Sequence, residues 1–262
     1  MTTHTFTLAR QGIDLKFRSA TLIEREWLTE NYVRVRVRGD ELRGFTSLGA
    51  DDHMRLFFPE QRVGWAGSVE ELRASPSREY TPLAWEDDWL DIEFAIHGDP
   101  GDRGVAAEWA ASAPLGATIG VGGPRGSMII EGRPDAWFLA GDETAVPAIR
   151  RFAASMTADA VGTVIIEVPE ASQQVFIETP ERVKVEYVYR GTAVGGSALA
   201  ARLDTLTAAD RPDGDVFAFI ASEQAIVKTG RALAIERWGL DADRIVAKGY
   251  WKRGDLEFHA PH

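Results

Sequence analysis

The spacing of apolar residues changes once along the chain, near Gly132-Arg133-Pro134-Asp135, and this change constrains the fold more than any other feature. Before it, strand patterns follow one another. In YVRVRVR, residues 32–38, Val33, Val35 and Val37 alternate with Arg34, Arg36 and Arg38, which predicts a half-buried strand with one basic face. Residues 90–96 repeat the pattern with Leu90, Ile92, Phe94 and Ile96, and residues 19–26 and 54–58 are weaker strand candidates. One helix interrupts them, over 104–113, where Val105, Ala106, Trp109, Ala110 and Ala113 share a face. Strands without intervening helices predict an antiparallel sandwich or barrel. Beyond the joint, strands (136–140, 163–168, 183–189, 216–222, 245–247) alternate with helices (144–156, 197–209, 224–238), the order of a parallel sheet covered by helices. The expected plan is an N-terminal antiparallel Greek-key β-barrel over 1–132, followed by a C-terminal α/β domain with a mostly parallel sheet over 133–262.

Composition removes several classes of function. With no cysteine in 262 residues, disulfides, thiolate metal sites and cysteine nucleophiles are excluded. The histidines, His4, His53, His97, His259 and His262, show no metal-binding helical spacing, and no G-x-S-x-G elbow is present. A net charge of −11 opposes binding to nucleic acid or anionic lipid, so an anionic ligand needs a locally basic pocket. No apolar run has the length of a membrane span or the layout of a secretory signal, which predicts a cytoplasmic chain.

Four segments carry chemistry. In Arg78-Glu79-Tyr80-Thr81, strand alternation sends Arg78 and Tyr80 to one face, where a guanidinium can clamp a phosphate and a ring can lie on a flat heterocycle. Gly120-Val121-Gly122-Gly123-Pro124-Arg125-Gly126-Ser127 resembles a dinucleotide fingerprint, but Met128-Ile129-Ile130 continues as strand, so the glycines make a tight loop where backbone can approach a ligand, or a plain Gly-Pro turn. Gly141-Asp142-Glu143-Thr144-Ala145 stands at a strand-to-helix turn, the edge where open α/β sheets bind ligands. Its two acids repel pyrophosphate and suit capping or contact with a cofactor's polar groups. Lys248-Gly249-Tyr250-Trp251-Lys252-Arg253-Gly254 interleaves aromatics with cations, suited to a planar or anionic ligand, or is a solvated tail.

In order along the chain, these segments resemble the siderophore-interacting protein family, flavoprotein ferric-siderophore reductases within the ferredoxin reductase-like group. Asp52-His53-Met54-Arg55-Leu56-Phe57-Phe58-Pro59 resembles the family's D-x-H-V-K-L-x-F-P strand with Arg55 for lysine; Arg78-Glu79-Tyr80-Thr81 matches R-x-Y-T; His97-Gly98 and then Gly104-Val105-Ala106-Ala107-Glu108-Trp109-Ala110 follow H-G and G-P-A-x-x-W-A with valine for proline. Gly123 to Ser127 matches G-P-R-G-S, Gly141 to Ala145 matches G-D-E-T-A, and Gly249-Tyr250-Trp251 with Arg253 and Gly254 is similar to G-Y-W-R-x-G. The resemblance implies a flavin-binding barrel holding FAD through Arg78, Tyr80, Thr81, His97, Gly98, Val105, Ala106, Trp109, Gly126, Ser127, Thr144 and Trp251. It implies NAD(P)H as donor, at Gly141, Asp142, Glu143, Thr144, Ser222 and Glu223, and a ferric siderophore held by Arg55, Arg125, Lys248, Lys252 and Arg253.

Two departures lie in the nicotinamide half. Tyr189 stands for a family tryptophan, and Ser222 for a glycine, its hydroxymethyl group expected to narrow the nicotinamide slot. They leave ferredoxin open as donor. Two other readings also stay open: a general NAD(P)H:flavin or ferredoxin-type reductase without a siderophore site, and a flavin-bearing module that waits for a partner. The sequence offers no convincing acid, base or nucleophile, and electron transfer to chelated iron requires none.

Overall fold

The structure, a computed structural model, describes residues 5–60, 63–98, 100, 102–255 and 258. His4, His259 and His262 lie outside these residues. The strands are β1 (Phe6–Gly12), β2 (Phe17–Thr29), β3 (Tyr32–Arg38), β4 (Met54–Phe57), β5 (Ser77–Tyr80), β6 (Ala84–Trp85), β7 (Trp89–Ala95), β8 (Thr118–Gly122), β9 (Gly126–Gly132), β10 (Ala136–Gly141), β11 (Gly162–Val168), β12 (Val183–Tyr189), β13 (Val216–Glu223) and β14 (Ile245–Trp251). The helices are α1 (Val69–Arg73), α2 (Val105–Ser112), α3 (Val146–Ser155), α4 (Ser197–Thr205) and α5 (Ile226–Arg231). The chain forms two compact units, Arg10–Met128 and the combination of Met1–Ala9 with Ile129–His262.

The first unit is a seven-stranded antiparallel sheet in the order β5-β4-β8-β2-β3-β7-β6. Among the described residues β5 and β6 do not pair with each other, so the expected barrel takes the form of a curled half-barrel. Its apolar stripe is the one the alternation predicts: Val33, Val35, Val37, Leu90, Ile92 and Phe94 are fully buried. The basic face of β3 is not a free surface. Arg34 and Arg36 stand opposite Glu93 and Asp91 of β7, and each guanidinium bonds its partner in a two-pronged fashion at 2.7–3.1 Å. The charges cancel across strands, which aligns the register and contributes about 0.2–1 kcal/mol per pair.

The second unit is a five-stranded sheet, β12-β11-β10-β13-β14, with every pair parallel. The central strands β10 and β13 are buried on both faces, as their unbroken apolar runs require. On α3 the residues Val146, Ile149, Phe152 and Ala153 face inward, and Phe152 packs among Trp137, Phe217 and Phe219 at ring separations of 5.0–6.4 Å.

Three boundaries differ from those read in the sequence. The N-terminal segment groups with the second unit because Thr5 donates its amide to Asp215, Phe6 packs edge-on against Phe217, and buried Arg244 bonds the Phe6 carbonyl while covering its ring. The long helix expected over 224–238 is α5 followed by a wider π-helical turn, Ala232–Arg237. The last strand runs on to Trp251, so the Lys248–Trp251 cluster is strand and not tail. The register runs unbroken through Lys248 and Gly249, a bulge at Tyr250 lets Trp251 pair with Glu223, and Gln224 closes over Gly249, where any side chain would strike the Gln224 Cα at 2.7 Å.

At Gly141 an added methyl group would meet the Ala221 carbonyl at 2.8 Å and the Ala145 methyl. Gly141→Ala is therefore expected to destabilise the chain by about 1–3 kcal/mol, because backbone on two strands must move apart. A chemical-denaturation midpoint equal to that of the wild type would refute this.

Candidate functional site

In the first unit the R-x-Y-T strand forms one wall of a site. Met54 pairs with Tyr80 and Leu56 with Arg78, so Arg78 and Tyr80 lie on the sheet face that carries the core. β5 is an edge strand and α2 packs against it, which leaves both side chains half-buried at the margin of the core. The Tyr80 ring rests on Phe94 at 4.3 Å, and burial pushes its phenol up, against the weaker opposing pull of the Arg78 charge. Arg78 Nη1 donates to the Ser77 carbonyl at 2.7 Å; among the described residues its other N–H groups have no acceptor. Thr81 is buried beside them, and His97 and Gly98 are exposed on the loop that leads to α2.

The start of α2 is open. Gly104 caps the helix with no side-chain hydrogen bond, and an added Cβ at Gly104 would meet nothing within 4 Å. Half-exposed Val105 and buried Ala106 open the helix with amides unengaged by any side chain, the arrangement that binds a phosphate at a helix N-terminus. A half-buried guanidinium with free N–H groups, an aromatic ring and an uncapped helix start in the same unit fit a flavin dinucleotide, with its diphosphate as the anion.

Two residues expected to contact the cofactor have buried side chains. Trp109 is buried in the core against Phe58 and Phe94, because the face it shares with Ala106 and Ala110 is the face that covers the sheet. Ser127 is also buried: its hydroxyl donates to Asp52 and accepts from the Leu48 amide, so it braces its loop from within. Arg18 braces the same loop by donating to the Gly123 carbonyl at 3.2 Å. Gly126 and Arg125 are left exposed on this fixed loop.

The expected chelate-binding cations divide between the units. Arg55 lies on the sheet face opposite Arg78 and is ion-paired to Glu79 at 3.0 Å. Arg125 is exposed in the first unit; Lys252 and Arg253 are exposed and Lys248 half-buried in the second.

In the second unit the carboxyl edge of the sheet is organised by Asp142. Its carboxylate, 1% exposed, accepts from the Thr144 amide (2.9 Å) and hydroxyl, the Ser222 hydroxyl (2.7 Å) and the Trp251 indole (2.8 Å). Ser222 is fully buried and its hydroxyl is turned toward Asp142. Asp142 likewise points into the protein, leaving half-buried Thr144 and Trp251 as the exposed parts of this cluster. Glu143 is held by Arg190, which also approaches Glu167 at 3.5 Å. Glu167 is fully buried and accepts the Gly196 and Leu199 amides at 2.6 and 2.7 Å; burial pushes its carboxyl up, more than these bonds draw it down. The sequence reading missed Glu167, Arg190 and Arg18 as organising residues. Each acts on groups distant in the chain, and none carries a local signal.

The geometry agrees with comparisons to known proteins. Residues 21–128 match the siderophore-interacting FAD-binding domain and residues 134–254 the siderophore-interacting protein domain. The NADPH-dependent ferric-chelate reductase of Escherichia coli is 32% identical over 255 residues, covering 91% of this chain and 94% of that protein. Ferric vibriobactin reductase ViuB of Vibrio cholerae is 29% identical over 250 residues, covering 90% and 89%. A siderophore utilization protein from T. fusca superposes with a TM-score of 0.82 at 28% identity, covering 95% of this chain and 97% of that one. A ferredoxin reductase of carbazole 1,9a-dioxygenase, at 15% identity and a TM-score of 0.63, shares the fold. With both halves matched and relatives aligned across nearly their whole length, the chain belongs to the siderophore-interacting protein family.

Proposed function

We propose that the chain is an FAD-dependent oxidoreductase that reduces ferric iron held in a siderophore, with NAD(P)H as donor. The observation that carries this reading is the open start of α2 in the same unit as Arg78 and Tyr80, within the stretch that matches an FAD-binding domain. The activities named for the Escherichia coli and Vibrio cholerae relatives support the choice of acceptor.

Bound FAD would accept a hydride and return single electrons. Arg78 would hold its diphosphate with the first amides of α2, and Tyr80, fixed by Phe94, would flank the ring. The phenol stays neutral, so it adds no charge beside the cofactor. Arg125, on its braced loop, would attract an anionic ferric chelate. Reduction of the iron loosens the chelate because hard anionic oxygen donors hold the ferrous ion less well. No proton transfer by a protein side chain is required.

The test is an anaerobic visible spectrum of the purified protein. NADPH should bleach the flavin bands, and a ferric siderophore should restore them while ferrous iron appears with a trapping reagent. Bleaching by reduced ferredoxin alone would keep the reaction and change the donor. Reoxidation by dyes and not by ferric chelates would favour a general reductase. Arg125→Ala is expected to raise KM for an anionic ferric siderophore about tenfold, to leave flavin content unchanged, and to reduce the salt dependence of KM. An unchanged KM would place chelate recognition on other residues.

A further inference from the structure

At the carboxyl edge of the parallel sheet, the βα connections of the second unit engage their amides with carboxylates from the chain itself. At the turn into α3, Asp142 takes the Thr144 amide, and the Ala145 amide bonds the Asp142 carbonyl. At α4, Glu167 takes the Gly196 and Leu199 amides. At α5, Glu223 takes the Ala225 amide with one oxygen and the Arg253 amide with the other. These are the positions at which an open α/β sheet otherwise offers amides and the positive end of a helix to a diphosphate. Here the amides are occupied, and an arriving diphosphate would face Asp142, Glu143, Glu167 and Glu223. Arg190 is the cation bonded into this cluster, and its fork is closed on Glu143, with side chains only 9% and 12% exposed. Gly141, at the turn a phosphate would approach, is packed against Ala145 and the Ala221 carbonyl.

We infer that the second unit has no diphosphate seat, and that Glu143 and Glu223 are specificity-determining residues that hold its affinity for dinucleotides down. A dihydronicotinamide donor is then recognised by its ring and not by its diphosphate. This rests on the reading of a dihydronicotinamide as donor.

The test compares three reductants of the flavin-loaded protein by anaerobic stopped flow: NADPH, dihydronicotinamide mononucleotide and N-benzyl-dihydronicotinamide. Half-saturating concentrations within about tenfold of one another are expected, since a diphosphate that contributes nothing leaves affinity to the ring. Inorganic pyrophosphate should not compete. Glu143→Gln removes one negative charge from the cluster and loosens the hold on Arg190, so it should lower the NADPH value about tenfold, make pyrophosphate a competitor and leave the benzyl compound unaffected. Glu223→Gln, which disturbs the start of α5 and the Arg253 amide bond, should move NADPH in the same direction if Glu143→Gln fails to fold. Saturation by NADPH about a hundredfold below the benzyl compound, with pyrophosphate competing in the wild type, would overturn the inference. If no nicotinamide bleaches the flavin although dithionite does, the donor reading fails on its own. Calorimetry with ADP-ribose then decides the diphosphate question: micromolar binding by the wild type sinks it, and absence of binding upholds it.

Discussion

Arg78→Ala is expected to yield a folded protein that purifies largely without flavin. Arg78 is half-buried on an edge strand, and its protein hydrogen bond runs to the carbonyl of its own neighbour, Ser77. Truncation therefore removes little from the fold, and the melting temperature should stay near that of the wild type. The cofactor loses a charge-assisted contact to phosphate, a loss of about 1.5–3 kcal/mol, or about 10- to 150-fold in Kd. The measurements are the ratio of flavin to protein absorbance after purification, and a fluorescence titration of apoprotein with FAD. Arg78→Lys should recover part of the affinity, because a point charge remains while the two-pronged geometry is lost. A full complement of FAD in Arg78→Ala, with unchanged titration, would move the diphosphate away from this strand and remove the main support for the proposed cofactor site.

The sequence made the fold legible wherever one element decides its own pattern. The alternation of Val33, Val35 and Val37 and the apolar runs of β10 and β13 marked strands whose burial follows directly. What it concealed was partnership. The arginines of β3 look like a basic surface until β7 supplies Glu93 and Asp91 opposite them. Trp109 carries the spacing of a family motif, yet that spacing also places it on the buried stripe of α2, and the packing decides. The cluster at Lys248–Trp251 could not be told from a tail, because its strand depends on pairing with β13 and on Gln224 closing over Gly249. The N-terminal segment grouped with the far end of the chain through Asp215 and Arg244, which no local pattern announces. Motif matching proposes Arg78, Tyr80 and the start of α2 as cofactor residues, and the strand and helix that carry them form where local pattern predicts. The direction of the Ser222 side chain was not legible, because at the end of a strand it is set by its acceptor, Asp142, eighty residues away in the chain.

Asp142→Ala is expected to be among the most damaging single substitutions. The carboxylate is nearly sealed from solvent and joins the ends of β10, β13 and β14. Without it, the Ser222 hydroxyl, the Trp251 indole N–H and the Thr144 amide lose their acceptor together. Each unsatisfied buried group costs about 1–3 kcal/mol. The costs do not add fully, because Thr144 is half-buried and can turn to water, so a total of about 3–5 kcal/mol is expected, at the severe end for one substitution. For a chain of this size that is a fall in Tm of roughly 10 °C. Asp142→Asn should be intermediate: the amide keeps one oxygen as acceptor but sets an N–H₂ against one of the donors. Ser222→Ala removes a donor along with its need, so in the Asp142→Ala background it should cost less than in the wild type, with a coupling of about 0.5–3 kcal/mol. Hydrogen exchange supplies a local readout, since β14 amides should lose protection before those of β10 once Trp251 is released. A Tm within a degree or two of the wild type would mean that Trp251 and the last strand are held by Gln224 and the β13 ladder alone, and that the Asp142 hub organises nothing.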